Sequence, residues 1–403
     1  MEILMALLYV FHQVFANLPF VSKTLTGNLD LFYALGMFGI IFVIFKRKRD
    51  ISLLIICALP IAIYGILQGL IIQDLNMQKL FVNISKITIC ISLMILSIRK
   101  IHDFKIKKFI DYVCRIYIIC TPIALIFSKN DYLWRLNDTI NKYSLLRLNL
   151  FYVEPSELGF HLALIIITLM YLIISEKDSK VNRKYIIYLI NCTILLVLSQ
   201  AYGASVILLG TIFIVSTVVL LAKINYKNIL VGYGVTIIFT ITIILFIATK
   251  SSIYMRTVDT IDGSDSSNSY RVNVTEEFTR AAVANTDGIG VGLGNLNTDR
   301  TRKIFMSTGM TAVVAASFPY FIAEGGVFAI LYSVLLLFFL IVNVIFKRNM
   351  LLTSLLIFMI LYQIYGGYFT NPVNWIVYGL ILSRWTPEKI QEENNIDVRK
   401  GII

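Results

Sequence analysis

Apolar runs of about 17–22 residues recur along the whole chain, each long enough to cross about 30 Å of hydrocarbon at 1.5 Å per residue. In hydrocarbon a backbone must satisfy its own polar groups, so a spanning chain folds as helices or as a closed barrel. Barrel strands alternate and give signals of only about 10 residues, which these runs do not resemble. The fold class is therefore all-α: a polytopic membrane protein built as a single integral membrane domain over residues 1–403. Composition agrees. Of the residues, 58% are hydrophobic and 15% charged, against roughly 25% charged in a soluble domain.

Spans are expected near 3–20, 30–45, 51–72, 81–98, 109–128, 158–175, 185–200, 203–222, 229–249, 326–346, 351–370 and 373–386, about 12 transmembrane helices in all. Lysine and arginine in the short loops set the orientation. "KRKRD" (46–50), "RKIHDFKIKK" (99–108), "EKDSKVNRK" (176–184), "KINYK" (223–227) and "KR" (347–348) all follow even-numbered spans. Those loops and both termini are then cytoplasmic. The first run lacks a basic n-region and a small-residue cleavage site, so it reads as a retained span. The apolar stretch 304–326 would invert the end of the chain if it crossed fully, and it reads instead as an interfacial or re-entrant segment leading into the tenth span.

The net charge of +12 is spread over these loops rather than gathered on a soluble module. It expresses orientation bias, and nucleic acid is not an expected partner. Cys57, Cys90, Cys114, Cys120 and Cys192 all lie in apolar runs without CxxC spacing, so neither zinc nor redox chemistry is indicated and no metal or other cofactor is expected.

Two outside loops are long, at about 129–157 and about 250–310. Long connections are functional or disordered, and these mix aromatics and arginines with short polar residues. Arg135, Arg147, Arg256, Arg271, Arg280, Arg300 and Arg302 are either solvated surface charge or an anion grip, since guanidinium pairs two phosphate oxygens. "DGIGVGLGN" (287–295) has no βαβ unit around it, so a dinucleotide site is not expected. Its glycines, Gly290 and Gly292 among them, permit positive-φ turns and close backbone approach, or form a nest of N–H groups for phosphate. "YVEPSELGFH" (152–161) starts a helix at the outer face, with Pro155 in its first turn. It brings Glu154, Glu157 or Leu158, and His161 onto one helical face. Glu154 is a candidate base or sugar ligand, or simply an acid favoured by the helix dipole. A lone intramembrane histidine such as His161 reads as structural. Tyr132, Trp134, Tyr143, Tyr152, Tyr254 and Tyr270 either stack on sugars or belong to the interfacial aromatic belt.

Three stretches carry a family resemblance: "SSNSYR" (266–271) shortly before "DGIGVGLGN", "FIAEGGVFAILYSVLLL" (321–337) opening the next span, and "LSQAYGASVILLG" (198–210) between two earlier spans. With the overall plan of spans and loops, the chain resembles the bacterial O-antigen polymerase and ligase superfamily, the Wzy-type polysaccharide polymerases. The resemblance implies a GT-C-like fold and an inner-membrane location. It implies an undecaprenyl-diphosphate-linked oligosaccharide as substrate, and metal-independent glycosyl transfer on the outer face. The product is a surface polysaccharide, O-antigen (lipopolysaccharide) or capsule. Membrane lipids and a chain-length regulator protein are the implied partners. Arg271 matches the family's arginine before the glycine motif. The ligase branch carries a histidine before its "AEGG"-like segment, and "VVAASFPYFIAEGG" has none, which favours the polymerase.

In that chemistry a lipid diphosphate leaves, and arginine set against its growing charge stabilises the transition state. The expected catalytic residues are Arg271 and Glu154. The expected substrate-binding residues are Arg135, Arg147, Arg256, Arg280, Tyr270, Gly290, Gly292 and Glu324, with Glu324 and Asp265 as less favoured carboxylates for the base. The alternatives are an O-antigen ligase passing the glycan to another acceptor, and a lipid-oligosaccharide flippase. A flippase would carry charges within its spans, and here these are few: Lys86, Asp111 and Arg115.

Overall fold

The computed structural model describes residues 2–13, 48–100, 106–128, 130–136, 146–176, 178–221, 258–259, 262, 273–306, 314 and 316–383. Its elements are α1 (Glu2–Phe11), α2 (Lys48–Ile71), α3 (Met77–Lys100), α4 (Ile106–Ile126), β1 (Trp134–Leu136), β2 (Leu146–Leu148), α5 (Pro155–Ser175), α6 (Ser179–Ser199), α7 (Tyr202–Leu221), α8 (Thr275–Ala284), α9 (Asp299–Met306), α10 (Ser317–Lys347), α11 (Met350–Tyr365) and α12 (Pro372–Leu382). Among the described residues six helices are long and apolar enough to cross a membrane, α2 to α6 and α10. Helices α1, α7, α11 and α12 are shorter and apolar. The chain is thus a helical membrane protein by the length and composition of its helices. The expected spans at 30–45 and 229–249, and the first span beyond residue 13, lie outside the described residues.

Helix limits follow local chemistry. The Asp178 carboxylate accepts the Lys180 N–H (2.8 Å) and starts α6. Asn349 accepts the Leu352 N–H (3.1 Å) and starts α11. Asn371 accepts the Val373 N–H (3.0 Å) ahead of Pro372, which fits the first turn of α12. Left-handed residues stop α6 at Gln200 and α10 at Arg348.

Helix α5 is central: α4, α6, α7 and α11 pack on it, and 72% of its apolar stretch is buried inside the protein, against 17% for α2. The outer faces of α2 and α10 instead expose large apolar side chains such as Ile56, Leu70 and Phe346. In water such faces would be a liability, whereas hydrocarbon is their natural solvent.

Both long loops hold ordered structure. In the first, β1 and β2 pair antiparallel, with Trp134 opposite Leu148 and Arg135 opposite Arg147. The Trp134 indole donates to the Ala124 carbonyl (2.8 Å) and so folds this hairpin onto the end of α4. In the second, α8 packs on α10 around a small core of Phe278, Val291, Leu296, Phe305 and Ala323. Helix α10 itself breaks at Gly326 (φ 56°, ψ −141°). Of the apolar stretch 304–326, the described part includes the end of α9 and a short helical piece joined at this break to the long part of α10.

Candidate functional site

The break in α10 is built from two glycine-bearing stretches laid against each other. Gly288, Gly290, Gly292 and Gly294 all have positive φ, so residues 287–295 turn repeatedly and run along the start of α10. The Val291 N–H donates to the Ala323 carbonyl (2.9 Å), the Gly292 N–H to the Glu324 carbonyl (3.0 Å), and the Val327 N–H to the Gly288 carbonyl (2.9 Å). A Cβ on Gly290 would sit 2.6 Å from the Glu324 carbonyl oxygen, and one on Gly326 2.0 Å from the Gly288 carbonyl oxygen. Glycine is required here because two backbones touch. Buried Gln68 of α2 completes the join. Its amide donates to the Ile289 (2.8 Å) and Glu324 (2.9 Å) carbonyls, and its oxygen accepts the Leu293 N–H (3.0 Å).

This join forms one side of a cavity of about 560 Å3. The cavity opens among the starts of four helices. Asn76, Lys79, Asn83 and Lys86 come from α3 and the residue before it, Glu154 and Glu157 from the start of α5, Tyr320 and Glu324 from α10, and Thr370 and Asn371 from the approach to α12. Gly294, Asn297 and Gln13 also line it. A helix N-terminus carries partial positive charge and unsatisfied N–H groups, so four of them with two lysines make the cavity favourable to an anion. Lys79 donates to the Asn297 carbonyl (3.0 Å).

Three carboxylates line the same cavity in different settings. Glu324 is buried. Its Oε1 accepts the Leu296 N–H (3.2 Å) and its Oε2 the Asn83 amide (2.9 Å). Glu154 is exposed at the N-cap position of α5 and makes no side-chain cap. Its Oε2 accepts from the Ser156 hydroxyl (3.1 Å). Glu157 accepts from the Asn371 amide (3.4 Å) and lies 4.0 Å from His12 Nε2.

Behind Glu157 two of the chain's three histidines meet. His12 and His161 are fully buried, with ring centroids 5.1 Å apart. Tyr152 joins them, its hydroxyl 3.0 Å from His161 Nδ1 and bonded to the Tyr9 carbonyl (3.0 Å). Burial pushes the Tyr152 pKa well above the ordinary phenol value, so this hydroxyl keeps its proton.

The expected site residues separate into groups. Glu154 and Glu324 share the cavity. Gly290 and Gly292 are buried, and their N–H groups are already donated, to the Thr286 hydroxyl (2.8 Å) and to Glu324. They shape the wall and are not a phosphate nest. Arg135 donates to the Val153 carbonyl, next to Glu154. Arg147 donates to the Ser199 and Gln200 carbonyls (3.2 Å each), a cation at the end of α6. Arg280 pairs with Glu276 (2.7 Å) on the exposed face of α8. Arg256, Tyr270, Arg271 and Asp265 lie outside the described residues. Sequence reasoning gave no binding role to Lys79, Asn83 and Lys86. The signal was present: at spacings of four and three they form a polar stripe on one face of an otherwise apolar helix. No protein-family model and no curated protein matches the chain.

Proposed function

We propose that the chain is a glycosyltransferase. In this reading it polymerises undecaprenyl-diphosphate-linked oligosaccharide repeat units into a surface polysaccharide, on the outer face of a bacterial inner membrane. The observation that carries the reading is the cavity. It sets four helix starts, Lys79 and Lys86 beside the Glu154 and Glu157 carboxylates. Its volume of about 560 Å3 is that of a small-ligand pocket. The ammonium groups and helix starts suit a diphosphate, and the carboxylates suit sugar hydroxyls.

The step follows from that division. An acceptor hydroxyl oxygen bonds to the anomeric carbon as the bond from that carbon to the diphosphate oxygen breaks. The bonding pair leaves with the diphosphate, whose added charge the ammonium groups and helix starts stabilise more than they stabilise the bound donor. The hydroxyl proton passes to Glu154, the exposed carboxylate. The diphosphate linkage supplies the driving force, so no nucleotide is consumed. Arg271 keeps the role that the resemblance implies, as a further cation on the leaving group. Glu324 holds the wall in place. A GT-C-like fold belongs to the same reading.

Purified protein in lipid vesicles, given only lipid-linked repeat units, should form a ladder of products. Arg271→Ala should reduce it about 10²–10³-fold, as loss of one transition-state donor does, while the variant still reaches the membrane. No ladder until a second acceptor is added would make the protein a ligase. Movement of the lipid across the bilayer without a new glycosidic bond would make it a flippase. A full wild-type ladder from Arg271→Ala would remove that arginine from the mechanism.

A further inference from the structure

Spacing of cysteines gives no hint of a metal site, yet the fold assembles a set of ligands from distant parts of the sequence. His12 follows α1, and Glu157 and His161 stand one turn apart at the start of α5. One ligand atom from each lies within 4.8 Å of the other two. We propose that His12, Glu157 and His161 bind a divalent transition-metal cation of the zinc class in the wall of the cavity.

The hydrogen bonds around the two rings prepare them as ligands. His12 Nδ1 lies 3.2 Å from the Tyr9 carbonyl, which can only accept, so this nitrogen carries the hydrogen and Nε2 carries a lone pair. The Tyr152 hydroxyl has one hydrogen and gives it to the Tyr9 carbonyl (3.0 Å). Toward His161 Nδ1 (3.0 Å) the same hydroxyl is then an acceptor. His161 Nδ1 therefore carries its hydrogen, and its Nε2 presents a lone pair as well. Metal-bound histidines are oriented in this way, with the second nitrogen donating to an oxygen. His161 Nε2 is buried, and among the described residues it has no hydrogen-bond partner.

Two imidazole nitrogens and one carboxylate oxygen suit zinc and its neighbours, and three protein ligands leave a fourth position for water. Calcium and magnesium prefer sets of oxygen ligands. The arrangement also disfavours protons as the occupant, because charging both imidazoles would put two like charges in rings 5.1 Å apart. Glu157 lines the cavity as well, so the cation has a polar entry path. The bound ion would tie α1 to α5 at the cavity wall. No step of the proposed transfer passes through it, and the inference stands whatever the cavity binds.

The test uses the full-length protein in detergent, stripped with chelator and reloaded with cobalt(II). The expected result is close to one cobalt ion per chain, with the visible absorption of a four-coordinate cobalt site, displaced by zinc. Glu157→Gln, which keeps the size of the side chain, should weaken cobalt binding at least about 10-fold, the smaller end of what even an outer-sphere change costs. His161→Ala should abolish it. Zinc should raise the thermal midpoint of the wild type and not that of Glu157→Gln, which covers the case in which His161→Ala does not fold. A wild-type protein that takes up no stoichiometric cobalt, or a Glu157→Gln protein that binds it as tightly as the wild type, would overturn the proposal.

Discussion

Three glutamates share one cavity, and their surroundings divide the work among them. Glu324 is buried and accepts the Leu296 N–H and the Asn83 amide. Glu324→Ala leaves both donors without their acceptor, at about 1–3 kcal/mol each, so the thermal midpoint of the purified protein should fall clearly. Glu154 is exposed and makes no helix cap. Glu154→Gln should leave that midpoint unchanged and lower transfer by about 10²–10⁴-fold, the contribution of a general base. Full transfer by a stable Glu154→Gln protein would move the base elsewhere in the cavity. The sequence singled out Glu154 as a carboxylate at a helix start on the outer face beside an arginine-bearing loop, and offered Glu324 only as a less favoured carboxylate. It did not single out Lys79 or Lys86 as ligands: Lys86 stood out only as one of a few charges within the spans, and Lys79, just ahead of an expected span, by itself carries no local mark of a site. Nothing local could pair His12 with His161, since their meeting depends on how α1 docks near α5.

At the scale of elements the join between residues 287–295 and α10 is the most constrained part of the fold. Gly326 holds a positive φ, and its neighbour across the join is backbone. Gly326→Ala should cost about 1–3 kcal/mol for the conformation and a further about 1–3 kcal/mol for the overlap with the Gly288 carbonyl. Gly210, in α7, has nothing within 4 Å of where a Cβ would stand, and Gly210→Ala should be neutral in the same melting experiment. Equal losses at both positions would mean that the join is not what holds the wall. The glycine spacing was legible as a demand for positive φ and close approach. Its partner was not, because the break in α10 lies inside a continuous apolar run, and such a run reads the same whether the helix is straight or broken. The hairpin and the pair α8 and α9 were also invisible, since the long loops show no periodicity strong enough to mark elements this short.

For the whole molecule the helical membrane character was the clearest part of the sequence, because about 20 apolar residues with few charges admit few other structures. The position of the cavity was the least clear, since it exists only where the starts of α3, α5, α10 and α12 come together. Orientation can be measured directly. Asn297 is exposed at the cavity, and Asp178 is exposed at the start of α6. In intact spheroplasts a membrane-impermeant thiol reagent should label Asn297→Cys and spare Asp178→Cys. Four of the native cysteines are buried and give little background. The reverse pattern would put the cavity on the cytoplasmic side and end the outer-leaflet reading.

The break at Gly326 also bears on the order of assembly. In an unbroken helix the Val327 N–H would bond to the Ala323 carbonyl; here each instead bonds to residues 288–291. In lipid neither group could stand alone. The glycine stretch leaves the ribosome before α10 does, so the matching backbone is already made when the broken helix reaches the bilayer. The first part of α10 thus has no stable place of its own at the membrane until that earlier stretch receives it.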